Sequence, residues 1–268
     1  KLLKSASQAK SLVIVPHSVL HLLPWSGLTF KGKRLFEYCP VSIIPNLSCL
    51  FGLQTDFSTT PRVGLVGGPD YSSLPKLEPL YLAQEELLAI QEAYPSSRSV
   101  IGEVIMNEKA NEANFWKLAK HENSEGNILH IACHGTFVTG DPLNSGLLLT
   151  DSKIDAAEIA RTRLKYNEII LSACSTGYRP TKVQGVELSG DDIVGLPGAF
   201  LEAGARSVLV SIPKARGDVT LQFMTIYHEN RAEGKSPMFA LQATQKTMLS
   251  NPIYKPYLWI GFTVYGCQ

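Results

Sequence analysis

Six short runs of aliphatic and β-branched residues recur along the chain, at Leu12 to Val15, Val63 to Val66, Ile128 to Ala132, Glu168 to Leu171, Ser207 to Ser211 and Trp259 to Val264. They are apolar almost throughout instead of alternating, and a strand can be apolar on both faces only if both faces are covered. Segments with helical periodicity lie between them. Leu82, Leu87, Leu88 and Ala89 with Glu85 and Glu86 form one, Asn111 to Leu118 a second, Leu196 to Ala203 a third and Pro237 to Leu249 a fourth. Gly204 follows the third, where a helix favours a left-handed residue, and Pro237 stands in a first turn, where its missing N–H costs nothing. Strand and helix in alternation predict an α/β domain with a mainly parallel central sheet.

The chain has 268 residues, enough to bury one large core or two closely joined halves. Its 25 Lys plus Arg and 24 Asp plus Glu nearly cancel, so no net field draws it to nucleic acid or to an anionic membrane. No apolar run reaches the roughly 18 residues that span a bilayer, and the first residues lack the pattern of a signal peptide. The chain opens on Lys1 rather than Met, as a fragment of a longer protein would. Its five cysteines, Cys39, Cys49, Cys133, Cys174 and Cys267, are odd in number and include no CxxC pair, which argues against a disulfide framework and against a zinc site. A reducing, cytoplasmic location is the expectation. No GxGxxG or P-loop occurs, so no cofactor is expected. Arg216-Gly217-Asp218 reads as a turn, and Asn46-Leu47-Ser48 as a chance glycosylation sequon. Residues Phe30 to Asp56, with Pro40 and Pro45, have only weak periodicity, which puts a boundary near residue 60 and divides the chain into 1–60 and 61–268.

Two of the apolar runs end on reactive side chains. Ile128-Leu129-His130-Ile131-Ala132-Cys133 runs into His134-Gly135, and Ile169-Ile170-Leu171-Ser172-Ala173 runs into Cys174. In parallel α/β sheets reactive groups gather beyond the carboxyl ends of the strands. Neighbouring ends would pair Cys174 as thiolate nucleophile with His134 as its general base. The backbone N–H groups of Gly135 and Cys174 are then the expected donors to an oxyanion. A buried cysteine is more often a small hydrophobe, and that is the reading for Cys133. His130 falls on the opposite face from Cys133, as a core histidine with its ring nitrogens satisfied.

These motifs resemble the CHAT family of caspase-like peptidases. The resemblance rests on His134-Gly135, on Leu171 to Gly177, on Gly190 to Leu196 and on Ala199 to Val208. It extends to Ile14-Val15-Pro16-His17, Leu23-Pro24-Trp25, Val66 to Tyr71, Ala240-Leu241-Gln242 with Gln245, and Trp259 to Phe262. It implies a caspase-like three-layer sandwich, a His134/Cys174 dyad, cleavage of a protein substrate after a chosen P1 residue, and frequent fusion to a tetratricopeptide or other sensor region. It also implies that the first 60 or so residues are a noncatalytic, pseudo-caspase-like portion packed on the active half. Ile212-Pro213 and Pro197-Gly198 depart from the family pattern near the pocket and bear on its specificity.

In related peptidases the P1 pocket is lined by positions that correspond here to Asp70, Ser172, Asp191 and Asp192. Ser172 is neutral. An Asp in this set would pair with a P1 Arg or Lys, whereas Asp191 or Asp192 could equally cap the helix that starts near Ile193. With all three carboxylates turned to solvent or capping helices, the pocket would be neutral around Ser172 and suit an uncharged P1 such as Met, Leu or a small residue. Two other functions compete with an active endopeptidase: a caspase-like scaffold that only binds partners, and a flavodoxin-like binding module whose Cys and His are incidental. The second leaves unexplained why both strands end on reactive residues.

Overall fold

The computed structural model describes residues 9–17, 20–21, 23–45, 57–74, 77–94, 99–136, 138, 141–172, 182–183, 186–187, 195–211 and 216–266. The first strands are Leu12–Ile14 (β1), Thr29–Phe30 (β2), Lys33–Arg34 (β3) and Val41–Ile43 (β4), with the short helix Leu35–Tyr38 (α1) before the last. Val63–Pro69 (β5), helix Tyr81–Ala93 (α2), Ile105–Asn107 (β6), helix Glu112–Ala119 (α3) and Ile128–Ala132 (β7) follow. Next come His134–Thr136 (β8), Gly146–Leu148 (β9), Lys153–Asp155 (β10), helix Ala156–Arg161 (α4), Glu168–Leu171 (β11), and the strand pair Lys182–Val183 (β12) and Val186–Glu187 (β13). Helix Leu196–Glu202 (α5), Ser207–Ser211 (β14), helices Gly217–Ala232 (α6) and Pro237–Ser250 (α7), and Phe262–Gly266 (β15) complete the described elements.

Eight strands form one sheet in the order β1-β4-β15-β14-β11-β7-β5-β6. All its pairings are parallel except β14 with β15. Every residue of β5, β7, β11, β14 and β15 is buried, as their unbroken apolar character predicted. Each face is covered by helices, giving three layers. Phe115 and Leu118 of α3, Ile159 of α4 and Phe200 of α5 pack on one face with Leu129, Ile131 and Cys133. Leu87 and Ile90 of α2, Phe223 and Tyr227 of α6 and Leu241 of α7 pack on the other with Ile128 and Ala132. Gln242 and Gln245 of α7 tie down the chain's first segment, donating to the Phe36 carbonyl at 2.7 Å and to the Ser26 hydroxyl at 3.0 Å.

The expected helices are present, with α3 started by Asn111, whose side chain accepts from the Asn114 N–H at 3.0 Å. Three expectations need correcting. The run Leu12 to Val15 is not covered on both faces: it forms β1 at the end of the sheet, with Val13 39% and Val15 37% exposed. The run Trp259 to Val264 is not one strand: Pro256–Leu258 is a 3₁₀ turn, Trp259 donates its indole N–H to the Tyr254 carbonyl at 2.9 Å, and pairing starts only at Phe262. Arg216-Gly217-Asp218 is not an isolated turn but the start of α6, a 16-residue helix. Its buried stripe includes His228 and Arg231 beside Val219, Phe223, Met224 and Tyr227, so its hydrophobic period is broken by polar residues.

Candidate active site

β7 and β5 approach closely where β7 ends. A Cβ on Gly67 would lie 2.4 Å from the Ala132 carbonyl oxygen, so a side chain there would push the two strand ends apart. The chain then leaves the sheet at Cys133 and enters β8, where His134 pairs with Leu148 of β9. Adjacent residues thus meet opposite environments. Cys133 enters the apolar layer at 1% exposure, and burial pushes its thiol up to about 12. His134 stays half-buried.

Two contacts fix His134. Its backbone N–H donates to the Tyr71 hydroxyl at 3.0 Å, and that hydroxyl donates to the Leu148 carbonyl at 2.7 Å. The Tyr71 ring lies 5.1 Å from the imidazole, centroid to centroid. Burial holds the Tyr71 phenol above its ordinary range, so it keeps the proton it donates. The imidazole Nε2 lies 2.7 Å from the Glu78 carbonyl oxygen. A carbonyl can only accept, so Nε2 carries the proton, and in the neutral ring Nδ1 carries the lone pair. Pro79 restricts Glu78 to extended backbone, which steadies that carbonyl.

A cavity of about 280 Å³ opens beside the ring, bounded by His134, Ser172 and Ser211 at the strand ends, Pro79 before α2, Glu86 on α2 and Thr220 on α6. A base with a free lone pair at the mouth of a partly apolar cavity can take a proton from a nucleophile whose substrate side chain sits inside.

Of the residues expected at the site, Ser172 lines this cavity with His134, its N–H donating to the Ile131 carbonyl at 2.9 Å. Gly135 lies in β8 opposite Leu147. Asp70 lines a neighbouring cavity of about 580 Å³, which shares Pro79, Leu80 and Tyr81 as a wall. Its carboxylate is committed to its own turn, accepting from the Ser72 N–H at 2.9 Å and the Ser72 hydroxyl at 3.0 Å. Cys174, Asp191 and Asp192 lie outside the described residues, as do Ile212 and Pro213. Three contributors escaped the sequence reading: the Tyr71 hydroxyl, the Glu78 carbonyl and Glu86. A backbone carbonyl leaves no mark in sequence beyond the proline after it. Glu86 did leave one, because it occupies a position of the stripe Ala83, Glu86, Leu87, Ile90 that α2 turns inward. Among the described residues, no His, Cys, Asp or Glu group is arranged to hold a metal, and no helix is long and apolar enough to cross a membrane.

The fold recurs in solved proteins. A chain of the Saccharomyces cerevisiae separase–securin complex matches 95% of this chain at 18% identity with a TM-score of 0.65, and this chain spans 15% of its length. The Arg-specific cysteine proteinase gingipain R matches 98% of the chain at 8% identity with a TM-score of 0.60, over 66% of its own length. A chain of the complex of Porphyromonas gingivalis RgpB pro- and mature domains matches 98% at 9% identity with a TM-score of 0.59, over 67% of its own length. At such identities the likeness is one of fold, here the caspase-like fold of cysteine peptidases. No curated protein sequence matches significantly. The family model of the CHAT domain matches residues 1–267, and the chain belongs to the CHAT family.

Proposed function

We propose that this CHAT domain is a cysteine endopeptidase in which the thiol of Cys174 attacks a peptide carbonyl and His134 is its general base. The observation that carries the reading is the hydrogen bond from His134 Nε2 to the Glu78 carbonyl, which frees Nδ1 as a base beside a cavity lined by Ser172. Ser172 stands two residues before Cys174.

In this reading Nδ1 accepts the thiol proton, and the Glu78 carbonyl then faces an imidazolium whose charge it stabilises. The thiolate adds to the scissile carbonyl, and the N–H groups of Gly135 and Cys174 hold the oxyanion. The imidazolium returns its proton to the leaving amine, and water then hydrolyses the thioester. The substrate is a protein, the location cytoplasmic, and an attached or separate tetratricopeptide-type region switches the activity on. Residues 1–60 form a noncatalytic portion: their strands β1 and β4 lie at the end of the sheet far from β7.

The test is a thiol-reactive peptide probe and a peptide library, applied to wild type, Cys174→Ala and His134→Ala. Wild type is expected to be labelled once and to cleave. Both variants lose cleavage by at least about a thousandfold, with unchanged unfolding midpoints. Cleavage that survives in Cys174→Ala overturns the reading.

A further inference from the structure

Glu86 is 3% exposed and lines the cavity that His134 and Ser172 open on. Its Oε1 lies 2.9 Å from His130 Nε2. The other nitrogen of His130, Nδ1, lies 3.1 Å from His228 Nε2, and His228 Nδ1 lies 2.9 Å from the Tyr94 hydroxyl. These groups come from α2, β7 and α6 and from the residue after α2, and all are buried. Burial and the nearby His130 and Arg231 hold His228 well below the ordinary imidazole range, so its ring is neutral.

A carboxylate only accepts, so His130 Nε2 carries a proton toward Glu86, and the arrangement with a single proton on each ring has one direction. Tyr94 O–H donates to His228 Nδ1, His228 Nε2–H to His130 Nδ1, and His130 Nε2–H to Glu86. Every dipole in the row points its positive end at the carboxylate, and each bond polarises the next. With a single proton on each ring, the row aims and steadies a negative charge without cancelling it. Among the described residues no Lys or Arg pairs with Glu86, and no hydrogen bond reaches its second oxygen. Leu82, Leu171 and Phe262 make much of the remaining wall apolar, which strengthens any ion pair formed inside. A nearly buried carboxylate facing such a space is costly unless something entering it is a cation.

We propose that Glu86 is the specificity-determining residue of this cavity and binds the ammonium or guanidinium of a substrate lysine or arginine, the side chain next to the bond that is cut. This rests on the peptidase reading for the bond cut, and on Glu86 and its histidine row alone for the cation.

The experiment uses the full chain and peptides identical except for Arg, Lys, Gln, Leu or Met at P1, with wild type and Glu86→Gln. The glutamine keeps a carbonyl oxygen for His130, removes the charge, and puts an amide NH2 in place of the second carboxylate oxygen. Binding of agmatine, a free guanidinium probe, is measured in parallel by calorimetry, and thermal unfolding checks that both proteins fold. Wild type is expected to favour Arg or Lys over Gln by about 30-fold or more in kcat/KM, the size of a truncated buried charge pair. Glu86→Gln is expected to lose that preference while still cutting the Leu and Met peptides. Agmatine should bind wild type at least about tenfold more tightly than the variant. Equal preference in the two proteins, or a wild type that favours neutral P1, overturns the role of Glu86. If no peptide is cut by wild type, the peptidase reading falls and calorimetry decides alone. Charge-dependent agmatine binding then keeps Glu86 as a cation site, and equal or absent binding removes it.

Discussion

The two layers that cover the central sheet differ in chemistry although the same strands feed both. On the side of α3, α4 and α5, β7 presents Leu129 and Ile131, with Cys133 just beyond its end, and β11 presents Ile169 and Leu171. On the side of α2, α6 and α7, the alternate residues of the same strands include His130 and Glu168, both fully buried. Glu168 accepts from Arg231 Nε at 2.7 Å and from the Tyr227 hydroxyl at 2.6 Å, and His130 joins the row that ends on Glu86. The apolar layer holds by area and shape, which depend little on direction. The polar layer works only with its partners in register, and it is the layer that reaches the cavity beside His134. Stability by bulk and orientation by hydrogen bonds are thus divided between the two faces of one sheet.

The largest effect is expected from breaking the buried ion pair. Arg231→Met leaves Glu168 charged, 1% exposed and without its cation, which costs about 3–5 kcal/mol of unfolding free energy. Removing the charge from both sides, with Glu168→Gln and Arg231→Met together, should recover a large part of that loss. Urea denaturation measures both. A single variant that loses under about 1 kcal/mol would mean that water reaches Glu168, and the contrast between the layers would fail.

Acid should act on the same layer. His228 is held neutral well below its ordinary value of 6.5, so below that pH the unfolded chain takes up a proton that the folded protein refuses. The unfolded state then binds more protons, and stability falls as pH falls through 6.5 and below. Each pH unit costs up to about 1.4 kcal/mol until the folded ring also protonates. His130 and Tyr94 face His228 from β7 and from the end of α2, and Tyr227 and Arg231 from its own helix, with Glu86 one bond further along the row and Glu168 beside Arg231. Unfolding is measured between pH 7 and 5.5. His228→Gln should flatten the slope in that window whatever it does to absolute stability, and an unchanged slope would assign it elsewhere.

How much of this was legible in sequence follows the same division. The mostly apolar runs at Val63, Ile128, Glu168 and Ser207 gave buried strands covered on both faces, because such a strand has few places to go, whereas the run at Leu12 became a partly exposed strand at the end of the sheet. The helices with clean periodicity, such as Asn111 to Leu118, were visible to within a residue. α6 was not, since His228 and Arg231 stand in its buried stripe and read as surface residues until their partners on β7 and β11 are known. The same blindness hid Glu86. His134 stood out because a histidine ending an apolar strand is unusual, yet its working tautomer is set by the Glu78 carbonyl, which no side chain announces. Polar residues buried by distant partners are where local pattern fails, and in this fold they are also the ones nearest the cavity.

The smallest effect is expected at Cys133, and it sharpens the comparison most cheaply. Its thiol and the His134 ring are neighbours in sequence but belong to opposite environments, the one in the apolar layer and the other at the cavity. A thiol whose pKa is pushed up to about 12 is almost wholly protonated at neutral pH, and the protonated form is a poor nucleophile. Cys133→Ala removes one buried sulfur from a packed layer together with its contact to the Leu148 backbone N–H, a loss of about 1 kcal/mol. Peptide cleavage should therefore be unchanged. Native alkylation with iodoacetamide, read by mass spectrometry, should leave Cys133 unmodified and label it only after unfolding. Rapid native labelling of Cys133, or loss of cleavage in Cys133→Ala at unchanged stability, would mean that its layer opens at the strand end and that the two faces of the sheet are not chemically separate there.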